Sequence, residues 1–304
     1  MLEQLTIIGN EILLVVLGLT IISISLIKGK ETDGKAETLV TASGLTLLFI
    51  GVVSGLWQQG EAFGGSVSSG MVERVFKSVF LLSGAITALL SYNPKSKKSQ
   101  LPQNRIGEHL GLMMMSIVGM CFIVSAKDLI LLYIGMELTT IPIILLVAFN
   151  KNELRSVEAA TKYVLFAALS SGVLLYGLSF VYGATGTTVL ADAGAKMDLT
   201  FTSFIALLFV MVGVGFKMSA APFHLWTPDT YEGAPTPVTA FLSVASKAAG
   251  FALFYKLIVS LFPSINQYSV YLISILAVLT MTIGNLIALY QKNFGVLVNF
   301  AFSK

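Results

Sequence analysis

The chain has 304 residues, 55% of them hydrophobic and only 12% charged, where a soluble domain carries about 25% charged residues. This excludes a water-soluble globular enzyme, and a net charge of +3 is too small for a nucleic-acid binder. The single cysteine, Cys121, excludes an internal disulfide and a cysteine-based metal cluster; in its apolar run it reads as a packed core residue.

About 20 apolar residues cross a bilayer as a helix. That window predicts an all-α integral membrane protein of about nine transmembrane helices, near 5–27, 39–57, 73–92, 108–126, 128–149, 158–182, 201–222, 237–261 and 269–290. The first is not a cleavable signal: Met1 to Asn10 holds no Lys or Arg, and the basic residues Lys28, Lys30 and Lys35 follow the apolar run. The stretches 28–38, 58–72, 93–107 and 183–199 read as the long loops. The fourth and fifth spans are separated only by Ala126-Lys127-Asp128, which reads as a tight antiparallel hairpin; one long kinked helix is the alternative and would reverse the topology after it. Small residues recur in the sixth and eighth spans, at Ala167 to Gly172 and Ala245 to Gly250, where they let helix backbones approach closely.

Basic residues concentrate on one side. Lys28, Lys30, Lys35, Lys95, Lys97, Lys98, Arg105, Lys151, Arg155, Lys292 and Lys304 fall together if the N-terminus is outside, leaving Arg74, Lys127 and Lys196 opposite. The expected topology is N-terminus outside and C-terminus cytoplasmic.

Three ionisable residues fall deep within spans. Glu137 lies about 13 Å into the fifth helix and Lys247 about 15 Å into the eighth; Lys217 is deep in the seventh, nearer its inner end. A charge at bilayer depth costs roughly 2.5–3.5 kcal/mol on the mildest scale, and such residues mark proton or ion paths. A buried structural ion pair is the plainer alternative. Desolvation and mutual attraction push the pKa values of an acid–base pair in opposite directions, so Glu137 and Lys217 are expected to form a coupled pair that exchanges protons as its spacing changes. Glu11, Lys77, Glu108, Lys162 and Lys256 lie within about two turns of a span end and read as snorkelling or interfacial anchors.

Backbone breaks accompany two of the deep charges. Pro142 leaves the Leu138 carbonyl without its helical donor, and Pro222 does the same for Met218. Freed carbonyls at this depth need protein or water, and water beside a titratable group suits a proton relay. His224 is a further candidate carrier, with a hydrogen-bonded structural role as the alternative. Asp229 and Glu232 read as shaping the turn before the eighth helix. No metal-ligand cluster, phosphate-binding glycine loop or nucleophile–base motif occurs, so no cofactor, flavin, haem or iron–sulfur cluster is expected in this chain.

The stretch Lys217 to Val238, above all Pro-Phe-His-Leu-Trp-Thr-Pro-Asp-Thr-Tyr-Glu-Gly-Ala-Pro-Thr-Pro-Val, resembles the signature of the antiporter-like membrane subunits of bacterial NADH:quinone oxidoreductase (complex I), in its subunit N family. Leu131 to Pro142, Glu158 to Gly177 and Gly284 to Asn293 agree with it; residues 1–100 agree only in hydropathy.

The resemblance implies that the fourth to eighth helices form one half of an inverted repeat, with the seventh broken. The implied division is a three-helix segment 1–107, a first antiporter-like repeat 108–262 and the start of a second, 263–304. By resemblance Glu137 is the modulating acid, Lys217 the lysine of the broken helix and Lys247 the central relay lysine. The implied partners are the other membrane and peripheral subunits, the lipid bilayer and protons, in a bacterial inner membrane. Family members are longer, with a second repeat and a further buried lysine, so the sequence is expected to be C-terminally truncated or frameshifted. A free-standing cation/proton antiporter and a non-transporting scaffold are the two alternatives.

Overall fold

The computed structural model describes residues 2–28, 34–92, 101–198, 200–262 and 266–290. Among these, nine helices are long and apolar enough to cross a membrane, and the protein is a multi-pass, all-α membrane protein. Each of the nine expected spans overlaps one of these helices.

Helices α1 (Leu2–Ile7) and α2 (Gly9–Lys28) make the first crossing, α3 (Lys35–Val53) the second and α4 (Met71–Ser91) the third. Helices α5 (Ile106–Ser125) and α6 (Leu129–Val147) form the hairpin expected at the three-residue link. Asp128 caps α6, its Oδ1 accepting from the amides of Ile130 at 2.8 Å and Leu131 at 3.3 Å. A carboxylate at a helix N-terminus satisfies amides that have no intrahelical partner. The two helices touch through backbone: a Cβ on Gly119 would stand 2.5 Å from the amide nitrogen of Thr139 and 2.8 Å from the Gly135 carbonyl. Such contact between small residues is how helices associate where lipid removes the hydrophobic drive. Helix α5 is buried along most of its length and forms the middle of the bundle.

Two expected loops carry structure. Residues 58–72 contain strands β1 (Gly60–Ala62) and β2 (Val67–Ser69), paired antiparallel with Gly60 opposite Ser69. Residues 183–199 contain helix α8 (Leu190–Lys196). Both lie against the α5–α6 link. The Lys127 amide donates to the Ser66 carbonyl at 2.9 Å, the Leu129 amide to Thr188 at 2.8 Å, and the Leu190 amide to Lys127 at 2.9 Å. The polar backbone of a non-helical turn thereby finds protein partners, as a membrane protein demands.

Helix α7 (Leu154–Thr185) has 32 residues, about 48 Å at 1.5 Å per residue. It is longer than the expected 158–182 and than the roughly 30 Å hydrocarbon core. Helix α9 (Phe201–Met218) packs on it and stops four residues short of the expected 201–222. After a turn come α10 (Trp226–Gly233), α11 (Thr236–Phe241), a π-helical stretch (Leu242–Ser246) and α12 (Lys247–Leu261). Helix α13 (Asn266–Tyr290) crosses last, with only 6% of its spanning window buried.

Candidate functional site

The seventh span is broken because α9 ends at Met218. Ser219 takes the left-handed conformation, φ 57°, and the amides of Ser219 and Ala220 fold back onto the carbonyls of Phe216 at 3.0 Å and Gly215 at 2.8 Å. This closure satisfies two terminal carbonyls. It also corrects the position of the break. Pro222 lies beyond the helix end, in the turn, rather than inside a continuing helix; the peptide before it is cis. The freed Met218 carbonyl of the sequence argument has a partner all the same. The Lys247 ammonium donates to it at 3.2 Å. A cation at a helix C-terminus is favoured by the partial negative charge there.

Lys217, one residue earlier, is buried and points elsewhere. Its ammonium donates to the Thr140 hydroxyl oxygen on α6. That oxygen can accept because the Thr140 hydrogen is given to the Met136 carbonyl at 2.7 Å. The expected Glu137–Lys217 ion pair is not formed: among the described residues no salt bridge joins them. Glu137 and Thr140 are three residues apart on α6, and neighbours at that spacing share a helix face. The carboxylate is one turn from the threonine that holds Lys217.

Glu137 is half-buried and tied to α7. Ser171 donates to its Oε1. The Ser171 oxygen lies 2.8 Å from the Tyr133 hydroxyl, which donates because the Ser171 hydrogen is committed to the carboxylate. The resulting order is Tyr133 to Ser171 to Glu137. Tyr133 was not singled out in the sequence, and Ser171 only among the small packing residues Ala167 to Gly172. A tyrosine one turn before an intramembrane acid is the only local sign, and the serine comes from another helix.

Lys247 is the first residue of α12, directly after the π-helical stretch Leu242–Ser246. Such wide turns recur at functional sites because they aim a side chain differently from an α-helix. Helix α12 sits close against the α9 terminus: a Cβ on Gly250 would be 3.1 Å from the Lys217 carbonyl oxygen. His224 is buried in the turn between α9 and α10, and its carbonyl accepts from Thr227 at 3.0 Å. Burial, and then the nearby Lys247 charge, hold the His224 imidazole below its ordinary pKa, so it is neutral at pH 7. The turn is tied further by Trp226, whose Nε1 donates to Phe216 at 3.1 Å, and by the Ala221 amide, which donates to Thr280 Oγ1 of α13 at 2.9 Å. Beside it, Met211, Met218, Phe251, Phe254, Leu276 and Thr280 line a largely apolar cavity of about 250 Å³.

Lys217, Lys247 and His224 therefore gather around one helix terminus, with Glu137 on the adjoining helix. Asp229 does more than shape the turn: it pairs with Lys162 of α7 at 2.7 Å, and Lys162 also pairs with Glu158 at 2.8 Å. These three groups are substantially exposed, as interfacial residues should be. The same expectation fails for Glu11, Lys77 and Lys256, which are buried and paired within the protein. Helix depth alone does not tell which face a side chain occupies. Among the described residues no three His, Cys, Asp or Glu converge to hold a metal.

Residues 126–301 match the model of the NADH:quinone oxidoreductase/Mrp antiporter transmembrane family. NADH-quinone oxidoreductase subunit N of Moorella thermoacetica is 44% identical over 221 residues, covering 72% of this chain and 46% of the relative. NAD(P)H-quinone oxidoreductase subunit 2 of Thermosynechococcus vestitus is 38% identical over 292 residues, covering 95% and 55%. A chain in the structure of respiratory complex I from Thermus thermophilus with bound aureothin superposes with a TM-score of 0.80 at 29% identity, over 97% of this chain and 61% of that one. The chain spans about half the length of the curated relatives it matches. With more than half its residues matched by the family model, the chain belongs to the NADH:quinone oxidoreductase/Mrp antiporter transmembrane family and is similar to subunit N among the antiporter-like subunits of complex I.

Proposed function

We propose that the chain is a proton-translocating membrane subunit of an NADH:quinone oxidoreductase, carrying protons through Glu137, Lys217 and Lys247 while other subunits carry the electrons. The observation that carries this reading is the placement of two buried ammonium groups at one interrupted helix end. Lys217 is held by a hydroxyl and Lys247 by a backbone carbonyl, neither of them a carboxylate. Among the described residues neither ammonium forms a salt bridge, and ionisable groups at bilayer depth mark proton paths, so each is placed to give up and regain a proton. His224, neutral and beside Lys247, is a further carrier. Residues 108–262 act as one antiporter-like repeat, in a bacterial inner membrane with the N-terminus outside.

The sequence similarity to quinone oxidoreductase subunits supports this reading over a free-standing antiporter. The test is Lys217→Ala in membranes where the chain is assembled with its oxidoreductase partners. The variant should assemble, oxidise NADH with quinone, and lose most of the proton transport that depends on this chain. Normal proton release per electron pair in the assembled variant sinks the reading.

A further inference from the structure

A second set of buried charges lies at the other end of the fold. Lys77 Nζ stands 2.6 Å from Glu11 Oε1, with the side chains 5% and 2% exposed. Lys256 Nζ donates to Glu73 Oε1 at 2.9 Å. Hydroxyls join the two pairs. Ser125 Oγ donates to Glu11 Oε1 at 3.5 Å, while Ser68 Oγ donates to Glu73 Oε1 at 2.9 Å and lies 3.4 Å from the Ser125 carbonyl.

Two features set this cluster apart from a pair of structural salt bridges. Glu11 Oε2 is buried without a hydrogen bond, and so is the neighbouring Asn10 Oδ1. A buried acceptor left so is costly, and it is a position that an added proton can occupy. The second feature is position. Glu11 lies near the start of α2, Glu73 and Lys77 in the first turns of α4, Ser125 at the end of α5 and Lys256 near the end of α12. Those ends meet under the β1–β2 hairpin, whose Ser68 belongs to the cluster. Lys217 and Thr140 lie toward the opposite ends of their helices. Helix α12 serves both sites, with Lys247 at its start and Lys256 nine residues on, about 13 Å along the axis and on the other face.

We propose that Glu11 and Glu73, with Lys77 and Lys256, form a proton-release unit: an outlet, in this chain's own residues, for the relay proposed above. The inference rests on that proton-transport reading. In each cycle an N–H bond of a relay lysine breaks as an O–H bond forms on a glutamate carboxylate, taking the unit from net charge 0 to +1. The O–H bond breaks in turn as the proton passes to bulk water on the hairpin side, and the unit returns to net charge 0.

The experiment measures protons released per electron pair, and the amount of assembled complex, for Glu11→Gln and Glu73→Gln beside Lys247→Ala. In the assembled glutamine variants the ratio should fall by as much as in Lys247→Ala, with Glu73→Asp recovering part of it. A reduced ratio in Lys247→Ala with a full ratio in both glutamine variants overturns the outlet and leaves the relay standing. A full ratio in Lys247→Ala overturns the relay itself. If a single glutamine variant does not assemble, the doubly neutral Glu73→Gln/Lys256→Gln chain is measured instead. A lowered ratio there supports the outlet; a full ratio, or failure to assemble, reduces the cluster to a structural link.

Discussion

Lys217 is buried with a threonine hydroxyl as its partner, and the chemistry of that pairing makes Thr140 the residue to alter. Thr140→Val keeps the branched shape and removes the acceptor. A hydrogen bond to a charged group contributes about 1.5–3 kcal/mol, so proton transport linked to this chain should fall about tenfold or more, with assembly retained. Adding Thr140→Val to Lys217→Ala should cost little beyond Lys217→Ala alone, because partners in one interaction are not additive. Proton transport by assembled single and double variants measures this; simple addition of the two losses makes Thr140 a packing residue. Depth along a span was enough to select Glu137, Lys217 and Lys247 from the sequence. Their partners were not legible there, because Thr140, Ser171 and the Met218 carbonyl come from other helices. The error over Glu11, Lys77 and Lys256 has the same source: each lies near a helix end, which resembles snorkelling until the facing helix is known.

Among the helices, the α5–α6 hairpin depends on Gly119 meeting the α6 backbone. A methyl group there has no room, and overpacking costs typically 1–3 kcal/mol. Gly119→Ala should therefore lower the thermal unfolding temperature of the detergent-extracted protein and reduce its assembled amount. An unchanged unfolding temperature would show that the helices separate freely. The hairpin itself was legible, since two apolar runs each long enough to cross are separated by three polar or small residues; one long kinked helix was the alternative. The β1–β2 strands were not, since three-residue strands among glycines carry too few side chains for an alternating pattern. Nor was the end of α9 at Met218, because it is set by a left-handed serine, a residue type that only occasionally takes that conformation.

Across the whole molecule, the distribution of Lys and Arg predicts which side each loop faces. The native cysteine, Cys121, is buried, so the wild-type chain offers a quiet background for thiol labelling. A cysteine introduced at position 97, outside the described residues, should react only from the cytoplasmic side. One introduced at exposed Gly64 in the turn between β1 and β2 should react only from outside. Labelling of position 97 from outside inverts the topology. The nine candidate crossings among the described residues were legible because membrane spans announce themselves by length and hydropathy alone. Their packing order was not, since most residues on both the exposed and the buried sides of these helices are apolar.

The π-helical stretch before Lys247 holds one residue of slack. An α-helix advances 1.5 Å and turns about 100° per residue, and a wide turn stores one such step without breaking the helix. Moving that extra residue to the far side of Lys247 would swing its ammonium about 100° around the axis, off the Met218 carbonyl that it now reaches.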